Sequence, residues 1–452
     1  MLKMDLGKNN FAVLADTISS LSRDQSFVAA HPVVVNAVIN FYDYSNIDII
    51  EALGSLIQFD KTLQMCVRHE LFLAKLRQSL ERLLDENDGN ENNALYNKIH
   101  QSLETTRSLL DVTSFFHLLE IPDSEGQKLA ALWIRCCQEF PKNQPILYIC
   151  SRILSKATES EVFCQFLRQP GSSLVLASTS ETHIGDSDML VRLLYAMGNC
   201  LVADVRCRQN NGRLVQSIRR VFRQSCRKCE SSKVLNKQET EVLLKVIRVI
   251  ANFSLDEPGA VAILQDAVII KAMLWLLKQA VEGGKLAESN DVAKYCLAAL
   301  NNLIFFAKKE FEPYTSETTH AFINCLMKSD LRITAECCRA LGNLSHYPVV
   351  CSVFEATGAD RLLHTLLDSS DINLVVNVIG IFINFSLKCP NLEVFAANDR
   401  QGIFKLLVAT REFEDMHLST LTLQLIWNLL RNATEVQSIL FYSSLTTWFR
   451  ST

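Results

Sequence analysis

The tightest constraint on this chain is a phrase that keeps returning. The run Cys337–Ser345 (CCRALGNLS) is echoed upstream by Leu297–Leu303 (LAALNNL) and Ile247–Ser254 (IRVIANFS). Downstream it returns as Val378–Ser386 (VIGIFINFS) and Leu425–Leu430 (LIWNLL), and a looser copy stands at Leu193–Leu201 (LLYAMGNCL). Each copy is an apolar helical phrase with one Asn near its end, followed by an apolar residue. Asn302, Asn343 and Asn384 are 41 residues apart, and Asn428 follows after 44. The earlier intervals, 53 from Asn199 to Asn252 and 50 from Asn252 to Asn302, read as the same unit with longer loops. A chain with this periodicity stacks repeated helical units, because no single unit can bury its apolar face without neighbours.

The text between two Asn positions supplies the rest of a unit. Glu355–Asp360 (EATGAD) breaks the chain at Gly358, and Arg361–Leu367 (RLLHTLL) gives a short helix with apolar residues at helical spacing. Asp368-Ser369-Ser370-Asp371 then offers capping side chains to the helix that ends in the Asn phrase. A unit of about 40 to 47 residues built from two or three helices is the armadillo/HEAT length class. The sequence resembles the armadillo superfamily from about residue 190 to 436, with a glycine before the second helix and an Asn on the third. The expected fold is therefore all-α, an armadillo/HEAT-type right-handed α-solenoid of roughly eight or nine repeats. Residues 1–188 read as degenerate N-terminal repeats, such as Ile49–Ile57 with Ser55 in place of the Asn, interrupted by two polar loops. Those loops are the acidic stretch Asp85–Asn93 and the Ser/Thr-rich stretch Pro170–Asp188. Residues 189–452 read as regular repeats closed by a capping helix over Val436–Phe449.

Composition agrees and narrows the function. Of 452 residues, 48% are hydrophobic, with only 15 Gly and 9 Pro, which suits an all-helical chain with a large core. The net charge of −4 gives no general attraction for nucleic acid or an anionic membrane. No apolar run reaches spanning length, and Met1–Lys8 has no apolar signal core. Fifteen Cys fall mostly inside apolar phrases (Cys137, Cys150, Cys296, Cys325, Cys338), as reduced small hydrophobes do. A cytoplasmic protein is the expectation.

Several residue sets are candidate sites. The superfamily resemblance implies that Asn199, Asn252, Asn302, Asn343, Asn384 and Asn428 line a concave face and bond to an extended peptide backbone. The other role is a packing one, each Asn tying one repeat to the next through buried hydrogen bonds. One turn before each Asn stand Tyr195, Arg248, Ala298, Arg339, Gly380 and Gln424. The superfamily's nuclear-import adaptors need a Trp there, which is missing, so basic localisation peptides are not the expected ligand. Arg248 and Arg339 would suit carboxylates of an acidic partner, or stand solvated in a groove. Arg219, Arg220, Arg223 and Arg227 cluster on an expected helix within the basic segment Arg206–Lys237, either as a docking patch for an acidic surface or as a solvated face. Without interleaved aromatics, nucleic acid is not expected there.

Cys226-Arg227-Lys228-Cys229 is a lone CxxC with no second pair at finger spacing, so no metal is expected. Asn252-Phe253-Ser254, Asn343-Leu344-Ser345, Asn384-Phe385-Ser386 and Asn432-Ala433-Thr434 match the glycosylation pattern. The first three coincide with repeat Asn positions on helices, and no glycan is expected. No phosphate loop, dinucleotide glycine pattern or HExxH occurs, and the nine His are scattered, so neither catalysis nor a cofactor is expected.

The order of the repeat phrases is similar to the repeat domain of the armadillo repeat-containing protein two family, which are ciliary proteins. That resemblance implies a non-enzymatic adaptor for assembly or transport of radial-spoke components in motile cilia or sperm flagella, with radial-spoke or intraflagellar-transport proteins as partners. The alternative is a general cytosolic armadillo scaffold that binds extended acidic peptides in signalling or adhesion.

Overall fold

A computed structural model describes residues 69–432 except 88, 90–91, 111–115, 118, 122, 168–170, 204–207, 209–211, 232–235, 283–288, 329–330, 389–409 and 411–412. The expected unit at Ile49–Ile57 and the expected capping helix over Val436–Phe449 lie outside the described residues. Among the described residues every regular element is helical, and the fold is an armadillo-type α-solenoid. The chain divides into two compact units, Met1–Val221 and Phe222–Thr452.

The described part of the first unit contains α1 (His69–Asp85), α2 (Asn93–Leu110), α3 (Glu125–Glu139), α4 (Gln144–Ala157), α5 (Glu161–Phe166), α6 (Ser172–Thr182) and α7 (Ser187–Ala203). Helix starts follow from local chemistry. Ser124, Asn143 and Ser160 each accept a backbone N–H from the first turn of the helix they precede, occupying one of the donors that a helix N-terminus leaves unpaired. Helices α2, α4 and α7 pack side by side. The core is aliphatic around Ile99, Leu103, Ile149, Ile153 and Leu193, with Trp133 and Phe163 buried in tilted contact at 5.9 Å.

The stretch Pro170–Asp188 departs from its expected loop, because Ser172–Thr182 is the helix α6. The Ser and Thr that read as loop formers turn their hydroxyls back onto the preceding turn. Thr179 donates to the Val175 carbonyl at 2.8 Å and Ser180 to the Leu176 carbonyl at 2.7 Å. With their side chains bonded within the helix, these residues no longer compete with its ladder, and Leu176 and Ala177 are free to bury.

The second unit runs from within α8 (Gly212–Ser231), through α9 (Lys237–Phe253), α10 (Glu257–Leu264), α11 (Ala267–Glu282), α12 (Ser289–Phe306), α13 (Lys308–Phe311), α14 (Thr315–Lys328), α15 (Leu331–Leu344), α16 (Pro348–Thr357), α17 (Asp360–Leu366) and α18 (Ile372–Lys388) to α19 (Met416–Asn432). The expected anatomy of a unit is plain in α16, α17 and α18. Gly358 ends α16 in the left-handed conformation at φ 65°, which favours glycine. Asp371 then caps α18, its carboxylate accepting from the Asn373 amide at 2.9 Å. Helix α9 opens with a capping box, in which Asn236 and Glu239 each accept the other's backbone N–H.

The long Asn-bearing helices α9, α12, α15, α18 and α19 pack successively, each on the one before. Their inner faces form the core through Ile250, Leu300, Leu341, Ile379 and Leu425. Helix α10 folds back tightly after α9, and Gly259 sits where this turn is closest. A Cβ there would lie 2.0 Å from the Phe253 carbonyl oxygen, which is backbone and cannot swing aside. Gly259→Ala is therefore expected to destabilise the protein by about 2–4 kcal/mol, read as a lower urea midpoint at unchanged slope. An unchanged midpoint would show that the turn has room to relax.

Candidate protein-binding surface

The six repeat Asn stand near the C-terminal ends of the long helices, and the structure shows what their amides do. In the first unit, Asn199 Nδ2 donates to the Thr158 carbonyl at the end of α4, at 3.1 Å. In the second unit, Asn302 Nδ2 donates to the Ala251 carbonyl of α9 at 3.0 Å and Asn343 Nδ2 to Asn301 Oδ1 of α12 at 2.9 Å. Asn384 Nδ2 reaches both the Gly342 carbonyl at 3.0 Å and Ser345 Oγ at 2.9 Å, and Asn428 Nδ2 reaches Ser386 Oγ at 3.1 Å. Asn252 holds the same register on α9.

Ala251 and Gly342 lie in the last turn of their helices, where carbonyls lack an intrahelical donor. The Asn of the next repeat supplies that donor. The packing role is thus directly visible, while the Asn side chains other than Asn428 remain partly exposed.

The Asn-x-Ser pattern has a physical meaning that the sequence reading missed. Ser345 Oγ donates to the Gly342 carbonyl of its own helix end at 2.7 Å and accepts from Asn384; Ser386 Oγ donates to the Ile383 carbonyl at 2.6 Å and accepts from Asn428. Each serine is a relay between its own helix end and the next repeat. The signal was present as a Ser two residues after Asn252, Asn343 and Asn384, but it shares its letters with a glycosylation site.

The arginines before the Asn are differently placed. Arg339 is folded onto its own helix, with Nε and Nη2 on Glu336 Oε2 at 3.0 and 2.7 Å. Arg248 lines a cleft of about 350 Å³ between α9 and α12, together with Lys237, Glu241, Leu244, Lys245, Asp291 and Tyr295. Three cations, two carboxylates and a phenol make this a polar recess able to take a peptide side chain or a backbone segment. It has one Asn-row arginine, not two.

The four arginines expected as a docking patch share the helix α8 but not one environment. Arg220 pairs with Glu181, and Arg223 pairs with Asp266. Arg219 is half-buried, and Arg227 is exposed. Two of the four charges are thus already met by acids distant in sequence. Arg208, from the same basic segment, is buried and donates to the Leu201 carbonyl.

Cys226 and Cys229 are buried, and burial, followed by Cys229 and Glu230, pushes the Cys226 thiol far up. Cys338 is likewise pushed up to about 12 by burial. These thiols pack as protonated apolar groups. Among the described residues, no group of three or more His, Cys, Asp or Glu side chains is arranged to hold a metal ion. No single described helix is long and apolar enough to cross a membrane.

Neither a protein-family profile nor a curated protein matches the chain. Solved structures do match. SYS-1 superposes with a TM-score of 0.62 at 14% identity, over 90% of this chain and 76% of that one. An engineered protein from a structural genomics consortium superposes with a TM-score of 0.59 at 14% identity, over 92% of this chain and 95% of that one. A designed armadillo repeat protein matches 58% of this chain over its whole length, at 13% identity and a TM-score of 0.43. At such identities the likeness shows the fold alone.

Removing Asn384 takes one of two donors from the Gly342 carbonyl and the donor from the Ser345 oxygen. Asn384→Ala is expected to cost about 1–3 kcal/mol, whereas Arg248→Ala, whose side chain borders an open cleft, should shift stability by less than about 0.5 kcal/mol. Urea unfolding of the two variants measures both. Equal, small effects would remove the packing role assigned to Asn384.

Proposed function

We propose that this chain is a non-enzymatic protein-binding adaptor that takes an extended segment of a partner on the exposed side of its Asn-bearing helices. The observation that carries this reading is the Arg248 cleft, an open polar recess beside the regular register of α9, α12, α15, α18 and α19. A surface that repeats with each stacked helix offers equivalent contacts to successive stretches of an extended chain, the arrangement that gives peptide recognition by main-chain bonds and side-chain pockets.

The order of the repeat phrases supports a finer assignment. In this reading the adaptor serves assembly or transport of axonemal radial-spoke components, working in the cytoplasm and at the cilium or sperm flagellum, with radial-spoke or intraflagellar-transport proteins as partners. The second reading, a general cytosolic scaffold for acidic peptides in signalling or adhesion, is favoured by the three cations lining the Arg248 cleft.

Affinity purification of the tagged protein from ciliated or testicular tissue, read by mass spectrometry, separates the two. Recovery of radial-spoke and intraflagellar-transport components is the expected result. Recovery of adhesion or signalling proteins with no axonemal component would replace the first reading by the second, and capture of no protein above the tag control would remove both.

A further inference from the structure

The residues three positions after the repeat Asn form a second row. In the second unit they are Leu255, which is half-buried, and then Phe305, His346, Leu387 and Arg431, following Asn302, Asn343, Asn384 and Asn428 of α12, α15, α18 and α19. Three positions is just under one helical turn, so Phe305, Leu387 and Arg431 lie beside their Asn, displaced towards the helix end, and His346 stands in the turn just past α15. Unlike the Asn, these side chains make no bond to the preceding helix. The last four are exposed, and the two apolar members among them strongly so, Phe305 at 50% and Leu387 at 58%. A large apolar side chain that recurs exposed at the same register on different repeats is a patterned surface, where a scattered one would need no account.

The row carries positive charge. Lys308 stands over the Phe305 ring, with Nζ 5.9 Å from its centroid, and Lys388 follows Leu387 directly. Partial burial, and then the charges of Lys308 and Lys388, hold the His346 imidazole below its ordinary value. The Tyr347 hydroxyl donates to the Lys308 carbonyl at 2.5 Å and ties two of these ends together. Among the described residues, Lys308, Lys388 and Arg431 have no ion-pair partner. The nearby acids, Glu312 and Glu310, act on Tyr347, whose phenol is pushed up to about 12 by burial first and by them second. The edge thus alternates apolar, imidazole, apolar and cationic groups, flanked by two lysines with no ion pair among the described residues.

We propose that this edge, Phe305–His346–Leu387–Arg431 with Lys308 and Lys388, docks an extended acidic segment of a partner protein, whose apolar side chains rest on Phe305 and Leu387. The proposal rests on the adaptor reading above and names the partner's chemistry: carboxylates for the lysines and Arg431, and two apolar anchors. Packed helices lie about 8–10 Å apart, so Phe305 and Leu387, two intervals apart, are about 16–20 Å from each other. An extended chain rises about 3.3 Å per residue, which puts the two anchors about five or six residues apart.

The probe is a fluorescein-labelled nonapeptide of glutamates carrying two leucines six positions apart, followed by fluorescence anisotropy on the full chain. Saturable binding is expected, with none for the same peptide built on lysines. Reversing Lys308 and Lys388 together to Glu should weaken it about tenfold or more. Phe305→Ala and Leu387→Ala should each weaken it about threefold or more through lost apolar contact. All these side chains are exposed, and unchanged circular dichroism and urea midpoints would confirm intact folding. Absence of saturable binding would overturn the proposal, as would binding insensitive to the edge variants but lost in Arg248→Ala. Preferential capture of an oligonucleotide or an anionic vesicle over the peptide would also overturn it. The tissue purification repeated with the Lys308→Glu/Lys388→Glu variant separates the two levels: an undiminished partner set sinks the edge alone, whereas an empty wild-type purification sinks the adaptor reading beneath it.

Discussion

The repeats of this protein depend on one hydrogen bond, made over and over: the side-chain amide of an Asn donating to the end of the helix before it. A helix of any length leaves its last carbonyls without donors, and a stack of helices with their ends in register brings those carbonyls together. Helices α9 and α15 present such a carbonyl to the Asn one repeat later, Ala251 to Asn302 and Gly342 to Asn384, whereas after α12 and α18 the Asn meets a side-chain oxygen, Asn301 Oδ1 or Ser386 Oγ. An apolar residue at that place would leave the acceptor half-buried and unpaired, at a cost larger than the net gain from an average hydrogen bond. A charged one would cost more in desolvation. Asn is small, neutral and has a donor at its tip, so it suits the position for reasons that do not involve a ligand.

The serines extend this logic. Ser345 and Ser386 close their own helix ends and present an oxygen to the next Asn, so that helix capping and repeat stacking become one connected network. Polar networks inside a protein are favourable when every member is satisfied. Here this coupling occurs at the α15–α18 and α18–α19 junctions and holds those helices in register along their axes. The aliphatic core supplies most of the stabilisation, but apolar contacts are non-directional and do not by themselves prevent one helix from sliding a turn past the next.

What could be read from the sequence follows the range of the interactions involved. The Asn period, the break at Gly358 and the cap at Asp371 were legible because each is local: a fixed interval, a left-handed residue, a side chain two residues from its donor. The helix α6 was not, because Ser and Thr favour loops or helices according to whether their hydroxyls find the preceding turn, and the apolar burial of Leu176 that decides it is tertiary. The arginine cluster on α8 was legible as a helix and illegible as a surface. Its neutralising acids, Glu181 and Asp266, come from 39 and 43 residues away. Charge patterning along a chain describes only half of an electrostatic surface; the other half arrives with the fold.

The same distinction bears on where a partner can bind. An Asn whose Nδ2 is engaged with the preceding repeat has a fixed orientation, and what remains of it for a ligand is the same at every position. Such a row can hold an extended backbone but cannot choose among sequences. Selection must come from positions that differ between repeats and are not committed to packing. The residues one turn before the Asn vary, yet Arg339 is turned onto Glu336 and Gly380 and Ala298 offer little to contact. The residues three positions after vary as well, and they are exposed: a phenyl ring, an imidazole, an isobutyl group and a guanidinium in sequence along the edge. In a solenoid whose Asn positions are spent on its own cohesion, the proposed docking edge lies in the register just beyond them, where the exposed side chains differ from repeat to repeat.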